Sequence, residues 1–576
     1  MKTIDTEVLV IGAGPAGLTA AALLARHKVP TITITKYNGT ADSPRAHITN
    51  QRTVEVFRDL GIEDKLVAMA MPQKLMGTQV YATSFAGKEI ARMMTWGAGS
   101  VRHADYELAS PSSMCNAPQH LMEPLLLDAA KANGAEVRLR TELLRISQDA
   151  EYVHAVVRER ATAIEYGIRA RYAIGCDGGR SLVGEQIGFE YKGQAGIGRS
   201  LSVWLEADLT RYTAHRSGAL FVVCLPGHES WLSVWPCVKP WTEWNPLFIQ
   251  HDYLPADATE EAVLQLVRES IGDPNIEVKI KNISPWQINH VVAAQYRKGR
   301  VFIAGDAAHR HPPTNGLGTN TSIQDSYNLA WKLALVLQGK AGEALLDTYS
   351  AERQPVGQQV VDRAIKSLND MAPFAEALEV GPAQTREQGW ASINGLFDDT
   401  EKGAARREAL LRSLDVQEGQ FNALGVELGQ RYEAGAVISD GTAFPAYTRD
   451  PDLYYHPTTH PGAYLPHVWL ERDRQRISTI DLAGKGAFSV ITGIGGQDWL
   501  DAAAEASKEL GIPIKGYSVG LRQEYDDVLG EWMRVREIED HGCLLVRPDR
   551  FIAWRSPSRV PRPTETLRSV MRQLLD

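Results

Sequence analysis

Residues 305–320 combine one aspartate, two prolines and three glycines in a pattern that can hold an anion. Asp306 follows a short apolar strand, predicted over residues 301–304, and the prolines and glycines restrict the backbone beyond it. A helix is predicted directly after the loop. Its unpaired N–H groups and its dipole would stabilise negative charge. The pattern favours an anion-binding loop; the alternative is a plain turn ahead of a core helix.

The helix that positions this loop is predicted to begin at residues 318–320. Apolar residues, among them Ile323 and Tyr327, recur beyond that point at helical spacing. Thr321 and Gln324 form a capping-box pattern, which is typical of a helix start. Both features place the amino end of the helix next to the loop.

A second motif lies near the start of the chain, where an apolar strand predicted at residues 7–11 runs into a glycine-rich turn and a helix of small residues. Gly12 permits the tight turn, Gly14 lets a pyrophosphate approach the backbone, and Gly17 allows close packing of helix on strand. This strand, turn and helix predict dinucleotide binding. The acidic residue expected about 20 residues further on, for the adenine ribose, is replaced by Thr35 and Lys36.

A third motif, Asp177 and Gly178, follows a predicted strand at residues 166–173. By itself an Asp-Gly pair after a strand usually marks only a turn. Its position between the other two motifs favours a functional role over a plain turn.

Bulk composition predicts a globular enzyme. The 576 residues, 44% of them hydrophobic, suffice for roughly three or four domains with buried cores. A net charge of −9 without a long basic run disfavours nucleic acid and anionic membrane as partners. The uncharged stretch 8–25 contains the glycine-rich turn and is predicted to be a buried strand and helix. Five cysteines without CxxC or metal-ligand spacing predict reduced thiols in the cytoplasm and no metal site.

Taken in order, these three motifs resemble those of the single-component FAD-dependent aromatic hydroxylases, the para-hydroxybenzoate hydroxylase-like family. The chain is similar to the phenol-hydroxylating branch of that family at residues 36–61, 305–337, 460–470 and 544–555. The resemblance runs from one end of the chain to the other.

The resemblance implies an α/β fold with four regions. A Rossmann-like FAD-binding domain would comprise residues 1–190 and 286–370. A β-sheet substrate domain would comprise residues 75–115 and 191–285, followed by a helical linker region at 371–425. A thioredoxin-like domain lacking CxxC would occupy residues 426–576. Within it the sequence predicts strands at residues 477–482 and 487–491 and a helix at residues 498–510, capped by Asp498. Predicted strands at residues 201–209, 218–225 and 231–238 fit the substrate sheet, where aromatic residues offer a candidate pocket: Trp204, Phe221, Trp231 and Trp235.

The resemblance also implies a set of cofactor-binding residues. The glycine-rich turn would meet the FAD pyrophosphate, Asp306 would bond the ribitol chain, and residues 317–320 would face the pyrimidine edge of the flavin. Reduction places negative charge on that edge, where the helix amides would stabilise it. The implied set is Gly12, Gly14, Pro15, Ala16, Gly17, Thr35, Lys36, Arg45, Gln119, Asp177, Asp306, Pro313, Gly316, Leu317, Gly318, Thr319 and Asn320.

The implied reaction hydroxylates a phenol, chlorinated or otherwise substituted, at the carbon ortho to its oxygen. NADPH or NADH would reduce FAD, O2 would add at flavin C4a, and the hydroperoxide would transfer hydroxyl to give a catechol. We expect a homodimer or homotetramer. Three alternatives remain open: another phenolic substrate such as 2-hydroxybiphenyl, a non-oxygenating flavin oxidoreductase, and a non-catalytic redox-interaction protein built around the C-terminal domain.

Phenolate is far more electron-rich than phenol, so the reaction needs a base. His47 precedes a predicted helix that ends at Gly61, and a helix amino terminus disfavours imidazolium. The resemblance gives His47 the role of deprotonating the substrate, and gives Pro313 that of a rigid wall over the flavin. His309 and His311 are rival bases, which we expect to be structural.

Overall fold

The structure is a computed structural model that describes residues 2–228, 230–250 and 259–576. Positions 229 and 251–258 of the predicted substrate domain lie outside the described residues. No helix in the described ranges is both long enough and apolar enough to cross a membrane.

Seventeen α-helices occur within the described residues. Their bounds are α1 Pro15–Arg26, α2 Gln51–Leu60, α3 Glu63–Met69, α4 His103–Ala109, α5 Gln119–Ala132, α6 Leu182–Ile187, α7 Thr210–Thr213, α8 Glu260–Ile271, α9 Gly318–Leu337, α10 Asp347–Asn369, α11 Ala372–Leu378, α12 Arg386–Gly395, α13 Glu401–Phe421, α14 Leu424–Leu428, α15 Gln497–Leu510, α16 Glu531–Val535 and α17 Pro563–Leu575.

The same ranges contain 26 strands. They are β1 Thr3–Ile11, β2 Thr31–Ile34, β3 Ile48–Thr49, β4 Met71–Pro72, β5 Thr78–Ala82, β6 Glu89–Met94, β7 Cys115–Asn116, β8 Glu136–Arg138, β9 Thr141–Gln148, β10 Val153–Glu159, β11 Glu165–Gly175, β12 Tyr191–Glu206, β13 Leu220–Cys224, β14 Leu232–Lys239, β15 Glu243–Trp244, β16 Leu247–Gln250, β17 Lys279–Ala293, β18 Arg297–Lys298, β19 Val301–Ile303, β20 His309–Arg310, β21 Trp469–Arg472, β22 Gln475–Ser478, β23 Phe488–Thr492, β24 Ile514–Ser518, β25 Cys543–Val546 and β26 Ile552–Ser556.

A largely parallel sheet in the order β18-β19-β11-β1-β2-β8 gathers the sequence motifs at one edge. Ile11 at the end of β1 is in register with Ile34 of β2 and with Gly175 of β11, and Gly175 is in register with Ile303 of β19. The loops that follow these four residues therefore leave the sheet side by side. Ligands of open α/β sheets bind at this carboxyl edge.

Helices α1 and α9 pack against each other beside this sheet, as the small residues of α1 allow. The Ser326 hydroxyl of α9 donates to the Ala16 carbonyl of α1 (2.8 Å). Gly12 has a φ of 111°, and a methyl group at Gly17 would overlap the Gly12 carbonyl oxygen. The roles predicted for these two glycines, a tight turn and close helix packing, are therefore confirmed.

The second sheet has nine strands: eight in the order β20-β17-β12-β15-β14-β13-β5-β6, and β16, which pairs with β12 and β14. The three strands predicted at residues 201–209, 218–225 and 231–238 correspond to β12, β13 and β14. Strand β17 runs through residue 285, so the sheet continues past the predicted domain boundary.

A mixed four-stranded sheet in the order β24-β23-β25-β26, with α15 packed on it, forms the C-terminal part. The strand predicted at residues 487–491 and the helix predicted at 498–510 correspond to β23 and α15. The cap predicted at Asp498 is wrong, because the helix begins after Gly496 without a side-chain cap. The strand predicted at residues 477–482 ends at Ser478 and continues as a 3₁₀ turn.

Buried ion pairs join the C-terminal part to the flanking helices of the first sheet. Arg547 donates to both carboxylate oxygens of Glu352 in α10 (2.8 Å each), and Lys332 of α9 donates to the same carboxylate (2.7 Å). All three side chains are fully buried. Removing one partner would leave an uncompensated buried charge, so this cluster holds the C-terminal part against α9 and α10.

Candidate active site

The amino end of α9 carries backbone amides that no side chain caps. The helix begins at Gly318 after Leu317. The Thr321 and Ser322 hydroxyls donate backwards to the carbonyls of Leu317 (2.9 Å) and Gly318 (2.8 Å) instead of accepting from amides. The predicted capping box is therefore wrong, because Thr321 already lies inside the first turn. The uncapped end retains its capacity to stabilise an anion.

Asp325 of α9 holds the loop ahead of the helix. Its carboxylate accepts from the Gly305 amide (3.1 Å), lies 2.9 Å from His309 Nε2, and accepts from Arg353 Nε (2.9 Å). His309 is fully buried in this cluster, as its expected structural role requires. Asp306, one residue beyond the anchored amide, is accessible, yet burial raises its pKa. The Asp306 side chain is therefore open to a ligand, while the protein around it partly desolvates the carboxyl group.

The glycine-rich turn after β1 presents a second uncapped helix end. Helix α1 begins at Pro15, which has no N–H to leave unsatisfied, and Gly14 precedes it without a side-chain cap. A methyl group at Gly14 would have its nearest protein atom 3.8 Å away, so space remains beside the backbone. The amides of Ala16 and Gly17 stand at the start of the helix. This turn has the form of a pyrophosphate cradle.

Two polar residues, Thr35 and Lys36, follow β2 at the position predicted for the adenine ribose. The Thr35 side chain is buried and accepts from the Tyr37 amide over a long 3.4 Å, while Lys36 is exposed. Asp177 accepts from the Ser181 hydroxyl (2.5 Å) and the Val183 amide (3.0 Å) at the start of α6. In the structure, Asp177 therefore caps an amide at the start of α6.

Arg45 and Gln119 are brought together by the backbone. The Gln119 amide donates to the Arg45 carbonyl (3.0 Å), and two residues on, the Ala117 amide donates to the His47 carbonyl (2.8 Å). Strand β3 continues this pairing against β7, with Ile48 opposite Asn116. The segment that carries His47 is therefore fixed along its length.

His47 is half-buried, and burial lowers its pKa to about 4, only partly opposed by a hydrogen bond with Asn116. The predicted helix is confirmed as α2, which ends at Gly61 in a left-handed conformation. However, the cap of α2 is Asn50, and His47 lies three residues ahead of it. The neutral imidazole therefore results from desolvation, not from the helix dipole invoked from the sequence.

Asn116 determines which nitrogen of His47 is free. Its amide nitrogen donates to the Cys237 carbonyl of β14 (2.6 Å), so its oxygen must be the atom 2.9 Å from His47 Nδ1. A carboxamide oxygen only accepts, so Nδ1 carries the hydrogen. The lone pair is left on Nε2, where a proton can be received.

Asn320 connects the two halves of the site. Its side-chain oxygen accepts from the Asn50 amide (3.0 Å), and its nitrogen donates to the carbonyls of Ile48 (2.9 Å) and Gly316 (2.6 Å). A methyl at Gly316 would lie 2.9 Å from Ile48 Cβ, so the two loops touch. The segment with the candidate base is thus tied to the amino end of α9.

His311 and Pro313 lie in the same loop. The Nδ1 atom of His311 is 2.6 Å from the Pro312 carbonyl, and burial lowers the pKa of His311 to about 4. Its Nε2 lies 3.5 Å from the position of a methyl at Gly318. Pro313 is exposed and Thr319 is buried. Of the two histidines in this loop, only His311 lies close to the first residue of the helix.

The aromatic residues predicted to line a pocket mostly form core. Phe221 and Trp235 are buried and pack in an edge-on cluster with Phe85 and Trp244. Trp204 is half-buried, donates its indole N–H to Glu243 (2.6 Å) and has the Lys281 ammonium 4.0 Å from its ring centre. The four predicted residues, Trp204, Phe221, Trp231 and Trp235, are not gathered around one space.

Sequence reasoning missed Asn116 and the connecting role of Asn320. Both act through side-chain bonds to residues 69 to 272 positions away along the chain. The Asn-Ala-Pro-Gln run that contains Asn116 carries no recognised chemical pattern. Only the three-dimensional pairing of β3 with β7 reveals it.

Comparisons with known proteins agree with this geometry. A family model described as FAD binding domain matches residues 5–364, and one described as aromatic-ring hydroxylase, C-terminal, matches residues 458–576. The chain is 45% identical to 2,4-dichlorophenol 6-monooxygenase of Delftia acidovorans over 99% of this chain and 98% of that protein. It is 44% identical to phenol 2-monooxygenase of Pseudomonas sp. (strain EST1001), over 99% and 93%.

Among solved structures, the flavin-dependent monooxygenase PieE in complex with FAD and substrate matches with a TM-score of 0.96 and 46% identity over 100% of both chains. The fold and the site together define a flavin-dependent monooxygenase. The chain belongs to the family of FAD-binding aromatic-ring hydroxylases. The predicted resemblance is confirmed, and with it FAD as the cofactor. Two uncapped helix ends, the space beside Gly14 and the accessible Asp306 fit this dinucleotide.

Methyl groups at three glycines separate folding from FAD binding. Gly14→Ala and Gly318→Ala meet no protein atom closer than 3.8 and 3.5 Å, so both variants should fold. Each methyl would intrude on the cofactor, and we expect FAD affinity to fall by about tenfold or more. Gly17→Ala should instead fail to fold, because its methyl overlaps backbone. Fluorescence titration of the deflavinated proteins measures the affinity, with Gly381→Ala as control. Unchanged affinity in Gly318→Ala would remove the start of α9 from the site.

Proposed function

We propose that this protein hydroxylates a phenol at the carbon ortho to its oxygen, using NADPH or NADH and O2, and releases a catechol. The observation that carries the proposal is the neutral His47, its free Nε2 fixed by Asn116 and its loop tied to the flavin helix through Asn320. The similarity to 2,4-dichlorophenol and phenol monooxygenases supports the substrate class.

We propose that FAD lies along the carboxyl edge of the parallel sheet. Gly12, Gly14, Pro15, Ala16 and Gly17 would hold the pyrophosphate at the start of α1. Thr35 and Lys36 would flank the adenine ribose. The remaining predicted residues, Arg45, Gln119, Asp177, Asp306, Pro313, Gly316, Leu317, Gly318, Thr319 and Asn320, would follow the ribitol chain and the flavin.

FAD, when bound, supplies the chemistry that activates O2 and delivers one oxygen atom to the ring. The protein contributes fixed amides at the start of α9, whose dipoles favour negative charge on the facing cofactor edge at little reorganisation cost. Pro313 adds a rigid wall because its φ is restricted. His47 would take the phenol proton on Nε2, which makes the ring electron-rich.

Proton transfer to His47 is uphill for a plain phenol. A phenol of pKa about 10 faces a base of pKa about 4, and a gap of about six units corresponds to roughly 8 kcal/mol. The bound phenolate would raise the pKa of the neighbouring imidazole, which recovers part of this cost. Electron-withdrawing substituents lower the pKa of the phenol itself. We therefore favour a chlorinated or similarly substituted phenol, with another phenolic aromatic such as 2-hydroxybiphenyl as the alternative.

We retain three further expectations as proposals. The chain would divide into the four regions given above, with β17 shared between the FAD and substrate regions. It would work in the cytoplasm, in keeping with its five unpaired thiols. It would assemble as a homodimer or homotetramer, which light scattering of the purified protein distinguishes from a monomer.

Oxygen uptake with NADPH across a panel of phenols, with detection of catechol, tests the proposal. Substituted phenols should stimulate uptake and yield catechol in proportion to the NADPH consumed. Hydrogen peroxide without catechol for every phenol would favour a non-oxygenating flavin oxidoreductase instead.

Replacing His47 separates hydroxylation from flavin reduction. His47→Ala should lower kcat for catechol formation by about 10²- to 10⁴-fold, the usual contribution of a general base, while flavin reduction by NADPH is retained. Rising pH should partly restore the rate, because it supplies phenolate from solution. Stopped-flow measurement of both steps from pH 6 to about 10 checks this. His154→Ala, an exposed histidine on β10, is the control. A fully active His47→Ala protein at pH 7 would exclude the role.

Replacing Asn116 tests whether its side chain holds the hydrogen of His47 on Nδ1. In Asn116→Asp a carboxylate would face His47, stabilise the imidazolium and raise the pKa of His47. A higher pKa keeps the base protonated to higher pH, so the acidic limb of the kcat/KM profile should move to higher pH. In Asn116→Leu the ring loses its partner, and kcat should fall by about tenfold. Identical pH profiles for wild type and Asn116→Asp would mean that Asn116 does not act through His47.

A further inference from the structure

The loop ahead of α9 contains two successive residues in the left-handed region. Asn315 has a φ of 65° and Gly316 a φ of 64°. Among residues with a side chain, asparagine is one of the few that adopt this conformation at little cost. These two residues turn the chain from Pro313 toward the first amides of α9, so their geometry sets where those amides point.

The Asn315 side chain is buried and caps a helix from another part of the chain. Its amide nitrogen donates to the Gly419 carbonyl (2.7 Å). Gly419 lies two residues before the end of α13, among the last four residues whose carbonyls have no partner within a helix. The bond therefore satisfies a group that the helix itself leaves unpaired.

Gly419 lies against α10. A methyl there would overlap the Arg363 guanidinium of α10, which would have to shift. On the α10 side, the Thr314 hydroxyl donates to the Ala364 carbonyl (2.6 Å). The loop is thus held by one side-chain bond to each of two helices.

The same end of α13 also holds the segment after β6. The Trp96 amide donates to the Phe421 carbonyl (3.2 Å), and the Gly97 amide donates to Asn422 Oδ1 (3.1 Å). One turn earlier, Gln417 accepts from the Tyr81 hydroxyl of β5 (2.5 Å). The end of α13 therefore contacts both the nine-stranded sheet and the loop ahead of α9.

We infer that Asn315 is a positioning residue for FAD: its carboxamide, held by Gly419 at the end of α13, keeps the loop in the path that presents the α9 amides to the flavin. In this view the region predicted as a helical linker supplies part of the cofactor site. When only a fraction of molecules holds the competent path, the apparent dissociation constant rises in inverse proportion to that fraction. The bond acts on FAD affinity by keeping the fraction near one.

Two substitutions remove the bond while they preserve the backbone. Asn315→Gly keeps the left-handed conformation and loses the donor. Asn315→Asp keeps the shape and places a carboxylate against the Gly419 carbonyl. We expect FAD to bind about tenfold more weakly to Asn315→Gly, the usual effect of one buried hydrogen bond, and more weakly still to Asn315→Asp. Flavin fluorescence during titration of the deflavinated protein gives the dissociation constant, and the exposed Asn394→Asp in α12 is the matched control.

Further measurements separate positioning from simple loss of stability. Saturating FAD should return Asn315→Gly to near wild-type kcat, because the loop is then held by the cofactor. A dissociation constant within twofold of wild type for folded Asn315→Gly would overturn the inference, whatever its melting temperature. Should Asn315→Asp not fold, Asn315→Gly alone decides.

Discussion

The carboxamide of Asn320 is the contact on which the site depends. Two of its hydrogen bonds fasten the start of α2 and strand β3, which follows His47, to the first turn of α9, and the third goes to Gly316 just ahead of α9. One side chain thereby fixes the distance between His47, the proposed proton acceptor, and the first amides of α9. When a reaction needs two groups in a fixed geometry, a shift of either group by about an ångström can lower the rate about a hundredfold. The position that Asn320 enforces therefore matters more to the site than any one of the groups it positions.

The groups that we propose serve the reaction are those that the fold leaves without hydrogen-bond partners. The amides at the starts of α1 and α9 have no side-chain caps, and Nε2 of His47 keeps its lone pair. Unpaired polar groups inside a protein cost stability. Their neighbours compensate through buried ion pairs, Asp325 with Arg353 and Glu352 with Arg547, which hold the surrounding helices in place.

Local patterns predicted the parts of the fold that local physics determines. The glycine-rich turn, the start of α9 at Gly318 and the end of α2 at Gly61 follow from backbone sterics and hydrophobic spacing within a few residues. The cap predicted for α9 is wrong because the Thr321 hydroxyl donates to the Leu317 carbonyl, four residues behind it, instead of accepting from an amide. The neutral state of His47 was predicted for the wrong reason, since burial is a property of the assembled chain.

Contacts between residues far apart in the chain could not be predicted from the sequence. Asn116 meets His47 only because β7 pairs with β3, and α13 meets the loop ahead of α9 only after the whole chain has folded. The aromatic residues of the nine-stranded sheet show the same limit. Alternation along a strand gives two faces, but only packing shows that Phe221 and Trp235 face the core.

The central claim is that the first amides of α9 face the edge of the flavin that becomes negative on reduction. Its most direct test is an anaerobic pH titration of the absorption spectrum of fully reduced FAD, free and bound to the protein. We predict that the bound cofactor keeps N1 deprotonated to a distinctly lower pH than free reduced FAD, because uncapped amides stabilise the anion. Protonation of the bound cofactor at the same pH or a higher one would contradict this placement.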